Sequence, residues 1–502
     1  MSLIIAGERS GVGKTTVTLA LLSYLRQHQL PTQSFKVGPD YIDPMFHEYV
    51  TGRPCRNLDL VLTTEAYVQD CYTRHARTAA YVLVEGVMGL FDGAAPAIAQ
   101  QKVEDHEQRR TLGGFGSTAH VAHVLNLPIV LVVDCSRMSQ SIAALVHGYC
   151  HFDPNLQIAG LILNRVGSDR HLHLLQTALA PLKLPVLGVL HRQDDITIPD
   201  RHLGLLPTTE FPHLEPLITN LANLAAASFN WEKIMPLLAT EQNQKLAAAR
   251  SNLAPAASTS PPTHRLSPLP PALPLRIAIA HDAAFSFYYA DHFDLLRTLG
   301  AELVFWSPLR DSTLPENLQG LILGGGFPEM FAAALSANLS LRKAVRAAIA
   351  AGIPTYAECG GLMYLCEAIV DFDQQAWDMV GVLPTQAVMG QRLTLGYRQV
   401  EAQQDGILLP QGATAWGHEF HRSTLTGESP KPLFVMRRQE AESSGPESDR
   451  KHQAAGKGPG EGWYLPNLHA SYVHLHWGAT PALPQRFLNQ CHQFRNWSAL
   501  NQ

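Results

Sequence analysis

The apolar positions of this chain fall in short unbroken runs. "SLIIAG" comes first, followed by "AAYVLVEG", "PIVLVVD", "IAGLILNRV" and "PVLGVL", each about the length of one strand. Between them lie longer stretches with helical spacing, of which "VTLALLSYLRQH" is the first. A run that is apolar at every position suits a strand buried on both faces, and strands separated by helix-length segments pair in parallel. The pattern therefore predicts a parallel sheet covered by helices over residues 1–240. From Glu241 to Leu273 the pattern stops. This stretch contains "ASTSPPTHRLSPLPPALP", which buries too little apolar area to fold and reads as a stiff Pro/Ala/Ser-rich linker. A second α/β pattern begins with "LRIAIAHD", "AELVFW" and "LQGLILGGG" and occupies residues 274–482. Within it, the polar run from Arg437 to Gly462 reads as a disordered surface insertion, and residues 483–502 read as a C-terminal tail.

Composition agrees with two α/β domains and removes several functions. The chain has 502 residues, too many for one ordinary core, with 46% hydrophobic and 16% charged residues. A formal net charge of −5 argues against a nucleic-acid binder, which carries a basic patch. No apolar run reaches the roughly 18 residues that cross a membrane, and "MSLIIAGERSGVGK" lacks the basic start and cleavage site of a signal peptide. Seven scattered cysteines without a CxxC pair fit a reducing compartment, so a cytoplasmic enzyme is expected. The 23 histidines show no spacing that demands a structural metal.

The first strand runs into "GERSGVGKTT" and then a helix. That order is what a phosphate-binding loop needs, because backbone N–H groups and a helix N-terminus must point at the anion. Gly11, Gly13, Lys14, Thr15 and Thr16 are the expected ATP-binding residues, with Lys14 on the β- and γ-phosphates and the Thr15 hydroxyl on Mg²⁺. The spacing is irregular: five residues rather than four separate Gly7 from Gly13. A hard cation also takes carboxylate oxygens. Glu85 ends a buried strand, where open α/β sheets place ligands, and Asp59 follows another strand-like stretch, so both are candidate metal ligands. In "GPDYIDP", Asp40, Tyr41 and Asp43 follow a strand near the loop and are candidates for handling a second substrate.

The stretches "SGVGKTT", "FKVGPDYIDPMFH", "VEGVMGLFDG", "LILNRVGSDRH" and "IPDRHLGL" resemble the signature blocks of the cobyrinic acid a,c-diamide synthases. The first domain of that family is similar to dethiobiotin synthetase, whose displaced first glycine the irregular loop resembles.

In "GIPTYAECGGLMYL", apolar "IPTY" reads as a strand and "LMYLCEAI" as a helix. Cys359 then sits on a strand-to-helix turn, the geometry of a nucleophile elbow. A helix N-terminus there is expected to lower the thiol pKa. The N–H of Gly360 would form half of an oxyanion hole, and a glycine of "LILGGGFPE", taken as Gly325, the other half. Cys366 reads as core within the following helix. A thiol nucleophile also needs a base. "NLHASYVHLHWG" places three histidines close together, and by alternation His474 and His476 share a face, which does not by itself name the base.

"YAECGG" and "LILGGGFPE" resemble a class I glutamine amidotransferase, and "ASYVHLH" resembles the cobyrinic and cobyric acid synthase branch. By that match His474 is the base. Many such enzymes carry a glutamate two residues after this histidine; His476 stands there, so the orienting group is left open. The resemblance implies a glutamine-hydrolysing ligase that uses ATP, with Mg²⁺, to amidate the a and c acetates of cobyrinic acid through an acyl phosphate. Hydrogenobyrinic acid and nickel-sirohydrochlorin remain alternative substrates. Cobyric acid synthase is also similar, though its side chains differ. An ATP-switched scaffold with an inactive amidotransferase domain is the alternative from another class. Oligomeric state is not readable, and a homodimer stays open.

Overall fold

The protein is described by a computed structural model covering residues 2–102, 114–192, 200–201, 204–205, 208, 214–240, 274–437 and 459–500. It divides into two compact units, Met1–Pro261 and Pro262–Gln502. The Glu241–Leu273 linker and residues 438–458 of the expected insertion lie outside the described residues. Among the described residues no helix is long and apolar enough to cross a membrane.

The first unit is built on a seven-stranded parallel sheet. Its strands are β1 (Leu3–Gly7), β2 (Thr32–Val37), β3 (Arg56–Leu58), β4 (Tyr81–Glu85), β5 (Ile129–Asp134), β6 (Ile158–Val166) and β7 (Val186–His191), in the order β3-β2-β4-β1-β5-β6-β7. β1, β2 and β5 are buried at every position, which is why β1 and β5 read as unbroken apolar runs, whereas β2 buries polar residues, Lys36 among them. After β1 the chain builds one side of the sheet, and from β5 onward the other. The switch point therefore falls at the carboxyl end of β1, where open sheets bind ligands. Helix α1 (Lys14–Gln27) starts there, and α2 (Ile42–Thr51) follows β2. A short hairpin of β8 (Asp200–Arg201) and β9 (Gly204–Leu205) lies late in this unit.

The second unit has a parallel half and a mixed, mostly antiparallel half in one sheet of twelve strands. β10 (Leu275–Ala280), β11 (Ala301–Trp306), β12 (Gly320–Leu323), β13 (Thr355–Glu358) and β20 (Leu468–Ser471) run in parallel, in the order β11-β10-β12-β13-β20. The rest comprises β14 (Cys366–Val370), β15 (Ala376–Asp378), β16 (Leu383–Ala402), β17 (Thr414–Leu425), β18 (Pro432–Met436), β19 (Gly460–Leu465) and β21 (His474–Leu475). β16 and β17 form a long antiparallel ribbon, and β21 pairs with β17.

Three expectations are corrected here. Gly460–Gly462 do not belong to a disordered insertion, because they open β19, which pairs with β18 on one side and β20 on the other. Within the expected C-terminal tail, residues 483–500 are part of the second unit rather than an appendage to it. The helix Ala482–Leu500 presents Leu483, Phe487, Leu488 and Cys491 at helical spacing to a core that includes Leu275 and Ile277. Gly320 makes room for it, since a Cβ there would lie 2.7 Å from the Cys491 sulfur. Cys366 is core, but it begins β14, because the helix after the elbow ends at Leu365.

Candidate functional site

The phosphate loop of the first unit is held open by glycines. Gly11 and Gly13 adopt φ values of 75° and 97°, which residues with a Cβ reach only under strain. At Gly13 a Cβ would also meet the Asn164 amide nitrogen at 2.3 Å. That nitrogen donates to the Val12 carbonyl at 2.7 Å and ties the loop to β6. Lys14 donates to the carbonyls of Met88 and Arg9, and burial, helped by nearby Lys36, lowers its pKa to about 8. Thr16 follows on the same turn, half-buried.

Behind the loop the charges are dense. The Thr15 hydroxyl donates to Glu85 Oε1 at 2.6 Å and to Asp43 Oδ2 at 3.3 Å. Lys36, buried in β2, donates to Asp43 and, at 2.9 Å, to the same Glu85 oxygen; Asp40 lies 3.8 Å away. The other Glu85 oxygen is 2.7 Å from His47 Nε2, and His47 Nδ1 is 3.4 Å from the Cys55 sulfur. Burial alone would push the Glu85 carboxyl up, but Lys36 and His47 outweigh it and hold it well below the usual range. Asp43 goes the other way, raised to about 7 by burial and by the repulsion of Asp40. For Lys36, burial is overcome by Asp43 and Glu85, which keep the ammonium charged.

Thr15, Asp43 and Glu85 thus offer an all-oxygen donor set that suits a hard divalent cation. Asp59 is not brought into it. Its Oδ1 accepts the N–H groups of Val61 and Leu62, both at 2.8 Å, and caps the turn after β3. The carboxylate beside Thr15 is Asp43, expected to meet a substrate. Asp40 caps α2 through the N–H groups of Ile42 and Asp43, and Tyr41 is buried at the same helix start. Lys36, His47 and Cys55 were absent from the sequence-based set. A lysine inside an all-buried strand was the available signal for the first of them.

In the second unit, β13 ends directly in Cys359, whose φ of 47° and ψ of −103° place a side-chain-bearing residue in the left-handed half of conformational space. Such strain persists only where surrounding contacts enforce it. The Cys359 N–H donates to the Ser471 carbonyl at 2.8 Å, and the Cys359 carbonyl accepts from Met363 at 2.9 Å to start the helix Gly360–Leu365. Both following glycines are required: a Cβ on Gly361 would lie 2.1 Å from the Leu323 carbonyl oxygen, and one on Gly360 2.9 Å from Pro328.

The expected lowering of the thiol pKa is overturned. Cys359 is 4% exposed, and burial, with Glu329 adding to it, pushes the thiol well up despite the Gly360 N–H. A helix of six residues offers too little to offset that desolvation. Burial thus disfavours the thiolate in this pocket.

His474 lies in β21, opposite His418 of β17, and the two rings stack with centroids 4.9 Å apart. Gly325 borders it so closely that a Cβ would sit 2.7 Å from His474 Cε1. The Gly325 carbonyl accepts from Ser286 and Phe287, and its lack of a side chain leaves room for the imidazole. The amide beside the elbow is that of Gly326, 3.1 Å from where a Cβ on Gly360 would be. His476 is engaged with other neighbours. Its Nδ1 accepts from Gly478 at 3.2 Å, its ring packs on Tyr289, and burial lowers its pKa to about 4. The acid near His474 Nδ1 is Glu358, at 3.5 Å. The signal for it was present in "YAECGG", as the residue just before the cysteine.

A parallel α/β sheet with a phosphate loop, joined to an α/β unit with a cysteine elbow and a buried histidine strand, defines a nucleotide-binding, glutamine-dependent amidotransferase ligase. Residues 3–206 match the CobQ/CobB/MinD/ParA nucleotide binding domain, and residues 276–482 the CobB/CobQ-like glutamine amidotransferase domain. The chain belongs to the cobyrinate a,c-diamide synthase family. A cobyrinate a,c-diamide synthase of Synechococcus is 55% identical, covering 98% of this chain and 99% of its own. One of Synechocystis is 47% identical over 99% of this chain and 94% of its own. A hydrogenobyrinate a,c-diamide synthase of Streptomyces coelicolor is 40% identical over 97% of both.

Proposed function

We propose that this enzyme amidates the a and c acetate carboxylates of cobyrinic acid, consuming ATP and glutamine. The observation that carries this reading is the full-length similarity to cobyrinate a,c-diamide synthases, at 55% and 47% identity. The relative that acts on hydrogenobyrinate stands at 40%.

The two sites divide the work. In the second unit the Cys359 thiol attacks the glutamine carboxamide carbon, and His474 takes the thiol proton and passes it to the departing ammonia. Water then hydrolyses the thioester to glutamate. The N–H of Gly360 would receive the oxyanion, with that of Gly326, rather than the expected Gly325, as the second donor. In the first unit the loop amides of residues 11–16 and Lys14 hold the ATP phosphates. Thr15, Asp43 and Glu85 would hold Mg²⁺, which neutralises charge on the transferring phosphoryl group when bound. The substrate carboxylate attacks the γ-phosphorus, ADP leaves, and ammonia displaces phosphate from the acyl phosphate to give the amide. Asp40 and Tyr41, at the start of α2, are assigned to the corrinoid.

Mass spectrometry of the product tests this, after incubation with ATP, Mg²⁺, glutamine and cobyrinic acid, with hydrogenobyrinic acid in a parallel reaction. Two acid-to-amide exchanges on cobyrinic acid are expected. Exchange only in the parallel reaction assigns the enzyme to the cobalt-free substrate, and ATP hydrolysis without any exchange contradicts the assignment.

A further inference from the structure

We propose that Glu358 is the residue that positions His474 for glutamine hydrolysis, in place of an acid two residues after the histidine. This rests on reading Cys359 and His474 as nucleophile and base. Glu358 is the last residue of β13, adjacent to the nucleophile and 4% exposed. A carboxylate buried so deeply is costly unless donors surround it. Oε1 accepts the Leu475 N–H at 2.9 Å and the Tyr356 hydroxyl. Leu475 follows His474 directly, so this bond fixes the histidine strand to the elbow. It leaves Oε2 free to face His474 Nδ1, 3.5 Å away.

That placement has a chemical consequence. A carboxylate at Nδ1 selects the tautomer with its proton there and leaves the Nε2 lone pair for the thiol proton. When that proton arrives, the imidazole becomes a cation and the separation closes to a charge-assisted hydrogen bond, as catalytic contacts tighten beyond their resting geometry. The carboxylate does nothing to ionise the resting thiol, since its charge opposes a thiolate beside it. Its contribution therefore appears only as the proton moves. His476, at the other position, is occupied by Gly478 and Tyr289.

The test uses the full-length enzyme and measures kcat and KM for glutamine hydrolysis in Glu358→Gln, Glu358→Asp, His474→Ala and the Glu358→Gln/His474→Ala double variant, with ammonia-dependent amidation as control. Glutamine retains the acceptor for Leu475 but not the charge. The expected result is a fall in kcat on the order of 100-fold for Glu358→Gln, with KM changed by less than about threefold. Glu358→Asp recovers about tenfold of the loss, and ammonia-dependent amidation stays at the parent rate. The double variant is no slower than His474→Ala alone, because a residue acting through the histidine has nothing left to act on. Glu358→Gln within about threefold of the parent kcat overturns the proposal, as does a fold-loss in the double variant equal to the product of the singles. Ammonia-dependent activity falling in parallel in Glu358→Gln and Glu358→Asp also overturns it, in favour of a purely structural role. If Glu358→Gln does not fold, Glu358→Asp decides alone: an unchanged kcat refutes the idea. Cys359→Ala that still hydrolyses glutamine would instead refute the underlying reading of the site.

Discussion

Around Lys36, two lysines and three carboxylates share one corner of the first unit, and each carboxylate answers to the same ammonium. In the second unit burial dominates: it holds His292, His418, His469 and His476 below the usual imidazole range and, with Glu329, Glu358 and Glu419 adding to it, pushes the Cys359 thiol up. The first arrangement suits a highly charged ligand, whose phosphates need fixed positive groups and a cation held by oxygens. In the second, the thiol and the catalytic pair gain most from a low-dielectric pocket, where a few well-placed dipoles act strongly on a charge that exists only briefly. In the first site the working charges are present at rest; in the second the reacting thiol becomes charged only during turnover.

Substitutions can separate the two. Lys14→Ala should lose amidation with either nitrogen source, on the order of 1,000-fold, since carboxylate activation serves both. Steady-state rates with glutamine and with ammonium check it, and normal ammonium-dependent turnover would refute the phosphate role. Gly325→Ala crowds the His474 ring and should lower glutamine hydrolysis by about 100-fold while ammonium-dependent turnover is kept. Alkylation of Cys359 by iodoacetamide should be slow at neutral pH and rise about tenfold per pH unit past pH 9, because the raised pKa leaves little thiolate below it. A plateau near pH 7 would show that the pocket stabilises the anion after all. Asp59→Ala should cost about 1–2 kcal/mol of stability through its two lost N–H partners, read from urea midpoints, with ATP turnover retained.

Much of the architecture was legible because strands buried on both faces leave runs that nothing else explains, as in "PIVLVVD". The elbow was legible for a related reason, since glycines after Cys359 are needed wherever backbone approaches as closely as the Leu323 carbonyl does. The C-terminal helix escaped notice because Pro484 and a polar face mask four core residues spaced along it. The choice between Asp43 and Asp59 depends on how α2 returns to the loop, which spacing along the chain does not encode. Glu358 stood in view beside the cysteine, but its tie to the histidine was not legible, because only the pairing of β13 with β20 brings it near His474. The thiol pKa failed as an expectation because burial, invisible in a turn motif, outweighs one short helix.

The division of labour between the units is tested most directly by Cys359→Ala assayed for amide formation with glutamine and, separately, with high ammonium at a pH that supplies free ammonia. The account predicts no amide from glutamine and a near-parental rate from ammonium. Amide formation from glutamine in that variant, or loss of both activities in a folded protein, would contradict it.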